Sequence, residues 1–117
     1  MGAELRRAVN DDFVTAARIT DVAPGTGKAV LVGEREIALF NVAGVFYALE
    51  NHCPHQGGPL AEGWLDGAVV TCPWHAWSFK LGDGKMTLGE FARVDTFEVR
   101  IEGDDVRISR TPQSKEP

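Results

Sequence analysis

The most constraining feature of this 117-residue chain is the placement of its two cysteines and three histidines. All five lie in two short segments, residues 52–55 and 72–75. The segments contain a Cys-x-His pair, Cys53 and His55, and a Cys-x-x-His pair, Cys72 and His75, with sixteen residues between them. Each pair can reach one metal centre from a single loop. The sequence therefore predicts a fold that brings two ligand loops together.

Two sulfur and two imidazole ligands suit either zinc or an iron–sulfur cluster. A Cys₂His₂ zinc site usually takes paired cysteines from one element and paired histidines from another. Here each loop supplies one residue of each type. This mixing favours a two-iron cluster in which one iron binds both cysteines and the other binds both histidines. A structural zinc module remains the less favoured alternative.

Short apolar runs separated by turns predict an all-β fold, an antiparallel sandwich or barrel. Thirteen glycines and six prolines fit many short strands, and no segment keeps a helical period over ten residues. In the last long run, Phe97, Val99 and Ile101 alternate with charged residues, as in a half-buried strand. The stretch His52–Gly67 does not read as strand and is interpreted as a functional loop. The predicted strands are Phe13–Ile19, Lys28–Val32, Glu36–Asn41, Val45–Glu50, Val69–Cys72, Trp77–Leu81, Lys85–Leu88, Val94–Ile101 and Val106–Ser109. Gly33 and Glu34, between the second and third of these strands, predict a hairpin turn with glycine at its first central position.

The length corresponds to one domain over residues 1–117, with a core of about 12–110 and a flexible tail at 111–117. A net charge of −5 argues against a nucleic-acid partner. No run of 18 apolar residues is present, so no membrane span is expected. The charged N-terminus does not look like a secretory signal, and two cysteines are too few for a disulfide scaffold. These features favour a cytoplasmic location.

The segments Cys53–His55 and Cys72–His75 resemble the two cluster-binding boxes of Rieske-type [2Fe–2S] proteins. The flanking segments Gly57–Leu60 and His75–Phe79 are also similar to that family, and the resemblance extends over about Lys28–Ile108. It implies a Rieske-like fold with a cluster-binding subdomain formed by two ligand loops.

The resemblance also implies one [2Fe–2S] cluster and a role for each ligand. Cys53 and Cys72 would bind the inner iron as thiolates, and His55 and His75 would bind the outer iron. With neutral histidines the oxidised cluster carries no net charge, whereas an all-cysteine cluster carries two negative charges. Reduction of the neutral centre is therefore easier, and Rieske potentials lie above those of plant-type ferredoxins.

Two positions after the second box favour a low-potential member of the family. High-potential Rieske proteins of respiratory complexes carry a serine and a tyrosine two and four residues after the second histidine, where this sequence has Trp77 and Phe79. Hydrogen bonds from such hydroxyls raise the potential. Those proteins also have an extra cysteine pair and a membrane anchor, which this sequence does not show. No Lys or Arg occurs between Glu36 and Phe79, so an acidic face is expected to attract a basic partner.

The resemblance implies single-electron transfer between protein partners without a catalytic residue of the chain's own. An autonomous oxygenase also needs a mononuclear iron held by two histidines and a carboxylate, and only His52 remains after the cluster ligands. The leading hypothesis is a ferredoxin that carries electrons from a flavin reductase to a terminal oxygenase. The alternative is the small subunit of an assimilatory NADH-nitrite reductase, which the segment His52–Gly63 resembles.

Four residues near the boxes have a simpler expected role than metal binding. His52 is expected to be an exposed loop histidine rather than a spare ligand. Trp64, Trp74 and Trp77 are expected to pack beneath the loops, with a docking patch or an electron exit as the alternative.

Overall fold

The computed structural model describes residues 12–53, 57–74, 77–87 and 93–113. Within these residues the chain forms nine strands and two short 3₁₀ turns, at Ile19–Asp21 and Leu60–Glu62. The all-β prediction is confirmed. No helix in the described part is long and apolar enough to cross a membrane. The strands are β1 (Phe13–Arg18), β2 (Thr26–Val32), β3 (Arg35–Val42), β4 (Val45–Glu50), β5 (Trp64–Asp66), β6 (Val69–Thr71), β7 (Ser78–Lys80), β8 (Thr96–Glu102) and β9 (Asp105–Pro112).

Six strands form an antiparallel sheet in the order β1-β9-β8-β4-β3-β2. The sheet curls so that its edge strands β1 and β2 contact each other and enclose a hydrophobic core. Gly33, with φ of +67°, begins the two-residue turn between β2 and β3, as the sequence predicts. The enclosed core is called the barrel core and consists of Ala17, Val22, Val30, Val32, Ile37, Leu39, Ala48, Phe97, Val106 and Ile108.

The other three strands form a small antiparallel sheet in the order β5-β6-β7. A second core lies between this sheet, the loops around the cysteines and the outer face of β3 and β4. It is called the loop core and consists of Ala38, Phe40, Leu49, Cys53, Leu60, Val70, Cys72, Phe79, Leu81, Met86 and Val94.

Strand β3 is buried on both faces because it separates the two cores. Ile37 and Leu39 belong to the barrel core, whereas Ala38 and Phe40 belong to the loop core. A strand covered on both faces needs apolar side chains at successive positions. This explains why the segment reads as a continuous apolar run instead of alternating.

The interpretation of His52–Gly67 entirely as loop is wrong, because this stretch contains β5. The strand has three residues, and Trp64 and Leu65 pair with Thr71 and Val70 of β6. Three residues are too few to show a period of two. The predicted strand at Lys85–Leu88 is reduced to isolated bridges at Lys85 and Met86, and Leu88 lies outside the described residues.

The C-terminal strand pair also differs from the expectation. Strand β9 spans Asp105–Pro112 and is longer than the predicted strand Val106–Ser109. The Gln113 N–H then donates to the Thr96 carbonyl over 2.8 Å, while residues 114–117 lie outside the described part. On β8, Phe97 is buried, but Ile101 is 46% exposed, although it pairs with the buried Val106 near the turn to β9.

Candidate metal centre

The first ligand loop begins at Cys53, three residues beyond β4. The Cys53 N–H donates to the Gly58 carbonyl over 2.9 Å, and the Gly57 N–H donates back to the Cys53 carbonyl over 2.7 Å. Gly57 has φ of +78°, a conformation that glycine adopts without strain. These bonds close a tight loop and leave the Cys53 side chain buried in the loop core.

The second ligand loop begins at Cys72, directly after β6, and is closed in the same way. The Cys72 N–H donates to the Trp77 carbonyl over 2.7 Å, so both loops join the N–H of a cysteine to the carbonyl five residues later. The Trp74 N–H points toward the Cys72 sulfur, with the nitrogen 3.4 Å from Sγ. Such a contact stabilises a thiolate or a sulfur-bound metal.

The fold brings the two loops into contact at Gly58. A Cβ atom added there would lie 2.7 Å from Cys72 Sγ and 3.0 Å from Cγ of Trp74. Glycine is therefore required by the close approach of the other loop. The sequence shows the glycine but not this contact.

Both cysteines are free thiols, with exposures of 2% for Cys53 and 0% for Cys72. Burial raises the pKa of the Cys72 thiol above its ordinary value. The nearby Cys53 thiol also raises that pKa, whereas the Trp74 N–H lowers it. Without a metal, the Cys72 thiol is therefore protonated at neutral pH, and metal binding must release its proton.

The two predicted imidazole ligands, His55 and His75, lie outside the described residues. Within the described part, no group of three or more His, Cys, Asp or Glu side chains could hold a metal ion. The predicted four-residue ligand set therefore stays a prediction. Cys53 and Cys72, which are buried in two neighbouring and similarly closed loops, fit the two predicted sulfur ligands.

Asn51 supports the first loop and was not singled out by the sequence. Its side chain is 2% exposed, and Oδ1 accepts a hydrogen bond from the Ala61 N–H at 2.8 Å. Its backbone carbonyl accepts from the Leu60 N–H at 2.9 Å. These bonds attach the end of β4 to the 3₁₀ turn that follows the loop. Asn51 could be found only from the fold because asparagine is common in loops.

His52 is an exposed loop residue, as predicted. Its side chain is 51% exposed, with Nε2 3.3 Å from Glu36 and Nδ1 3.6 Å from Glu50. A cleft of about 250 Å³ beside it is also lined by Cys53 and Arg93. The positively charged Arg93 side chain therefore lies near a part of the surface that also carries Glu36 and Glu50.

The expectation that all three tryptophans pack beneath the loops is wrong for two of them. Trp64 is 64% exposed and Trp74 is 48% exposed. Trp64 projects from an edge strand, and Trp74 lies in the second loop, so neither is covered by the small sheet. Trp77 is half-buried and packs against the loop core.

This fold and loop pair define a class of iron–sulfur protein. The family model for the Rieske [2Fe–2S] domain matches residues 12–111, and the chain belongs to this family. The cofactor of the family is a [2Fe–2S] cluster.

The chain is also similar to ferredoxins of dioxygenase systems and to a nitrite reductase subunit. The 3-phenylpropionate/cinnamic acid dioxygenase ferredoxin subunit of Escherichia coli K12 is 46% identical over 74 residues, which cover 62% of this chain and 70% of that protein. A chain in the complex of reduced oxygenase and oxidized ferredoxin of carbazole 1,9a-dioxygenase matches with a TM-score of 0.79 and 30% identity, covering 87% of this chain and 96% of that one. A putative NADH-dependent nitrite reductase small subunit from Mycobacterium tuberculosis has a TM-score of 0.79 at 24% identity, covering 85% and 95%, and shows the shared fold alone.

Proposed function

We propose that this chain is a low-potential, one-electron carrier in which Cys53, His55, Cys72 and His75 hold one [2Fe–2S] cluster. The observation that carries the proposal is the pair of similarly closed loops whose cysteines, Cys53 and Cys72, are buried in one core. When bound, the cluster accepts and releases one electron at a time.

The polypeptide has two tasks in this function: it holds the sulfur ligands and limits access to them. Because Cys53 and Cys72 are buried, a partner protein cannot contact their sulfur atoms directly. Gly57 and Trp74, in contrast, are exposed residues of the two loops. A partner therefore approaches from the outer side of the loops, on which His55 and His75 are expected.

The surroundings of the second loop support a low potential. The positions two and four residues after His75, where high-potential members have hydroxyl side chains, are Trp77 and Phe79, and neither has a hydroxyl. Trp77 is half-buried against the loop core, and Phe79 is fully buried. Ser78 lies between them, but its Oγ is 2.7 Å from Thr71 Oγ1. The paired residues Val70 and Phe79 face the core, so the hydroxyls lie on the opposite face of the sheet. We expect a negative midpoint, in the lower part of the roughly −150 to +300 mV Rieske range, and a midpoint above about +150 mV would contradict the assignment.

We propose that a flavin reductase supplies the electron and that a terminal oxygenase receives it. The 46% identity to a dioxygenase ferredoxin subunit supports this pathway. The second candidate is the small subunit of a nitrite reductase, supported by the similar fold of such a subunit. The two free cysteines favour a cytoplasmic location. A stable complex with a large nitrite reductase subunit would favour the second candidate, whereas reversible binding to an oxygenase would favour the first.

The ligand assignment is tested by comparing His55→Gln with the matched control His52→Gln. We expect wild type and H52Q to contain about two irons and two acid-labile sulfides per chain, with a Rieske EPR signal after reduction. H55Q, Cys53→Ser and Cys72→Ser should lose the signal. Zinc in place of iron in the wild-type protein would overturn the proposal, as would an unchanged cluster in H55Q.

A further inference from the structure

Trp64 is the most exposed aromatic residue of the described part, at 64%. It lies on β5, an edge strand of the three-stranded sheet. A tryptophan contributes much of its binding energy only when its ring is covered, and tryptophan is enriched among the residues that dominate protein interfaces. Its position is therefore a candidate for contact with another protein.

The register of the small sheet shows which face carries this ring. Trp64 pairs with Thr71, and Thr71 pairs with Ser78. The next row along the strands contains Leu65 and the core residue Val70, which face the loop core. Side chains alternate along a strand, so Trp64 lies in the row that faces away from that core. Thr71 immediately precedes Cys72, so this outer face continues into the second ligand loop.

Acidic side chains flank the ring along the chain. Asp66, two residues after Trp64, shares its face of β5, and Glu62, two residues before it, is also exposed. No Lys or Arg occurs from residue 36 to residue 79. Lys80 is exposed in the row of Asp66, two strands away, which is about 10 Å at ordinary strand spacing. Within the three strands of this sheet, the face is therefore negative beside Trp64 and positive at its far side.

The barrel shows how an arginine binds an aromatic ring in this molecule. Arg100 lies over Phe13 with its guanidinium carbon 4.1 Å from the ring centroid, and Arg35 lies 5.3 Å from the centroid of Phe97. Both arginines come from the chain itself. An indole is a better ring for this contact than a phenyl group, and nearby carboxylates add attraction.

We propose that the surface formed by Glu62, Trp64, Asp66 and Thr71 docks a redox partner protein that places an arginine against the Trp64 indole. This inference rests on the proposed electron-transfer function. It adds a second contact region, next to the outer side of the ligand loops from which the partner approaches. The tryptophan supplies the buried anchor, and the two carboxylates attract the basic surface of the partner.

The test compares Trp64→Ala with Leu31→Ala, because Leu31 is 65% exposed on β2 of the other sheet. The probe is the oxygenase component of the 3-phenylpropionate/cinnamic acid dioxygenase system. Its dissociation constant for each reduced holoprotein and the second-order rate constant for its reduction are measured from low to high salt. W64A should weaken binding about tenfold and slow the second-order reaction similarly, with the midpoint potential unchanged. L31A should stay within twofold of wild type.

Two further variants separate the anchor from the charges. Trp64→Phe keeps an aromatic ring and should recover part of the affinity. Glu62→Gln combined with Asp66→Asn should lower the association rate at low salt and reduce its salt dependence. Wild-type binding by W64A, in a wild type that does reduce the oxygenase, would overturn the docking surface but leave the electron-transfer proposal intact. A wild-type holoprotein that neither binds nor reduces the oxygenase would overturn both for this partner class.

Discussion

The barrel core and the loop core share strands β3 and β4 but are built from different kinds of sequence. The barrel core takes all but one of its buried members, Val22, from strands, whereas the loop core also takes members from both ligand loops and from the 3₁₀ turn at Leu60–Glu62. Strand pairing sets the barrel core, because side chains alternate between the two faces. The loop core instead depends on hydrogen bonds and close contacts between segments distant in sequence. Both cores should therefore contribute to the stability of the fold, whereas the loop core should in addition determine how well the cluster is retained.

The largest effect that can separate the two regions comes from one leucine in each core. Leu39 and Leu49 are both 0% exposed, on adjacent strands that pair with each other, but they face opposite cores. Leu39→Ala and Leu49→Ala should each lower the free energy of unfolding by roughly 3–5 kcal/mol because each leaves a cavity. L49A should also speed cluster loss, since Leu49 shares its core with both cysteines.

Guanidinium denaturation followed by circular dichroism measures the first effect. Bleaching of the visible cluster absorbance by an iron chelator in native buffer measures the second. Equal bleaching rates in L39A and L49A would show that the two cores do not act separately.

The same difference between the cores determines how much could be predicted from the sequence. The sequence predicts the strand Val45–Glu50 with its observed bounds, and Gly33 marks the hairpin turn that the structure shows. Period-two alternation and turn residues are local signals, so they need no knowledge of the fold. The pairing of β5 and the exposure of Trp64 and Trp74 depend on which other segments of the folded chain lie next to them. The sequence therefore predicts both the strand and the two exposures incorrectly.

The candidate site follows the same division. The two boxes led to Cys53 and Cys72, which the structure places in one core, because metal-ligand spacing is visible in the sequence. Asn51 and the closeness of Gly58 to the Cys72 sulfur could not be predicted. Both depend on contacts between segments that only the folded chain brings together.

A smaller effect compares two glycines that are required for different reasons. A Cβ atom on Gly63 would collide with the Thr71 carbonyl oxygen, whereas Gly33 has open space but a φ of +67°. Gly63→Ala should lower the free energy of unfolding by about 3 kcal/mol because the backbone of β5 or β6 must move. Gly33→Ala should cost only about 1 kcal/mol, the strain of a left-handed alanine.

Thermal unfolding of the two holoproteins, together with chelator bleaching, checks this pair. G63A should have the lower midpoint temperature and the faster bleaching, and G33A should bleach like wild type. An equally stable G63A would mean that β5 moves away from β6 at little cost, so that the small sheet does not hold the loops rigidly.

The smallest effect compares two buried asparagines, one in each region. Asn41 donates from Nδ2 to the Val22 carbonyl at 2.8 Å, and its Oδ1 accepts from the Gly44 N–H at 2.8 Å. Asn51 Oδ1 accepts from the Ala61 N–H. Replacement of either residue by alanine leaves backbone groups without their side-chain partner, at a cost of about 1–2 kcal/mol. Asn41→Ala should cost more because it removes two bonds, whereas Asn51→Ala removes one.

Cluster retention should show the opposite order. Asn51 is two residues from Cys53 and attaches the end of β4 to the turn after the first loop, so N51A should bleach several times faster than wild type. Asn41 lies near the C-terminal end of β3, beside Val22 of the barrel core, so N41A should bleach at the wild-type rate. N41A would then be less stable than N51A but keep its cluster longer. A general loss of stability alone cannot produce this opposite order. If bleaching instead follows the free energy of unfolding in both variants, cluster loss proceeds through global unfolding, and the loops open only when the barrel does.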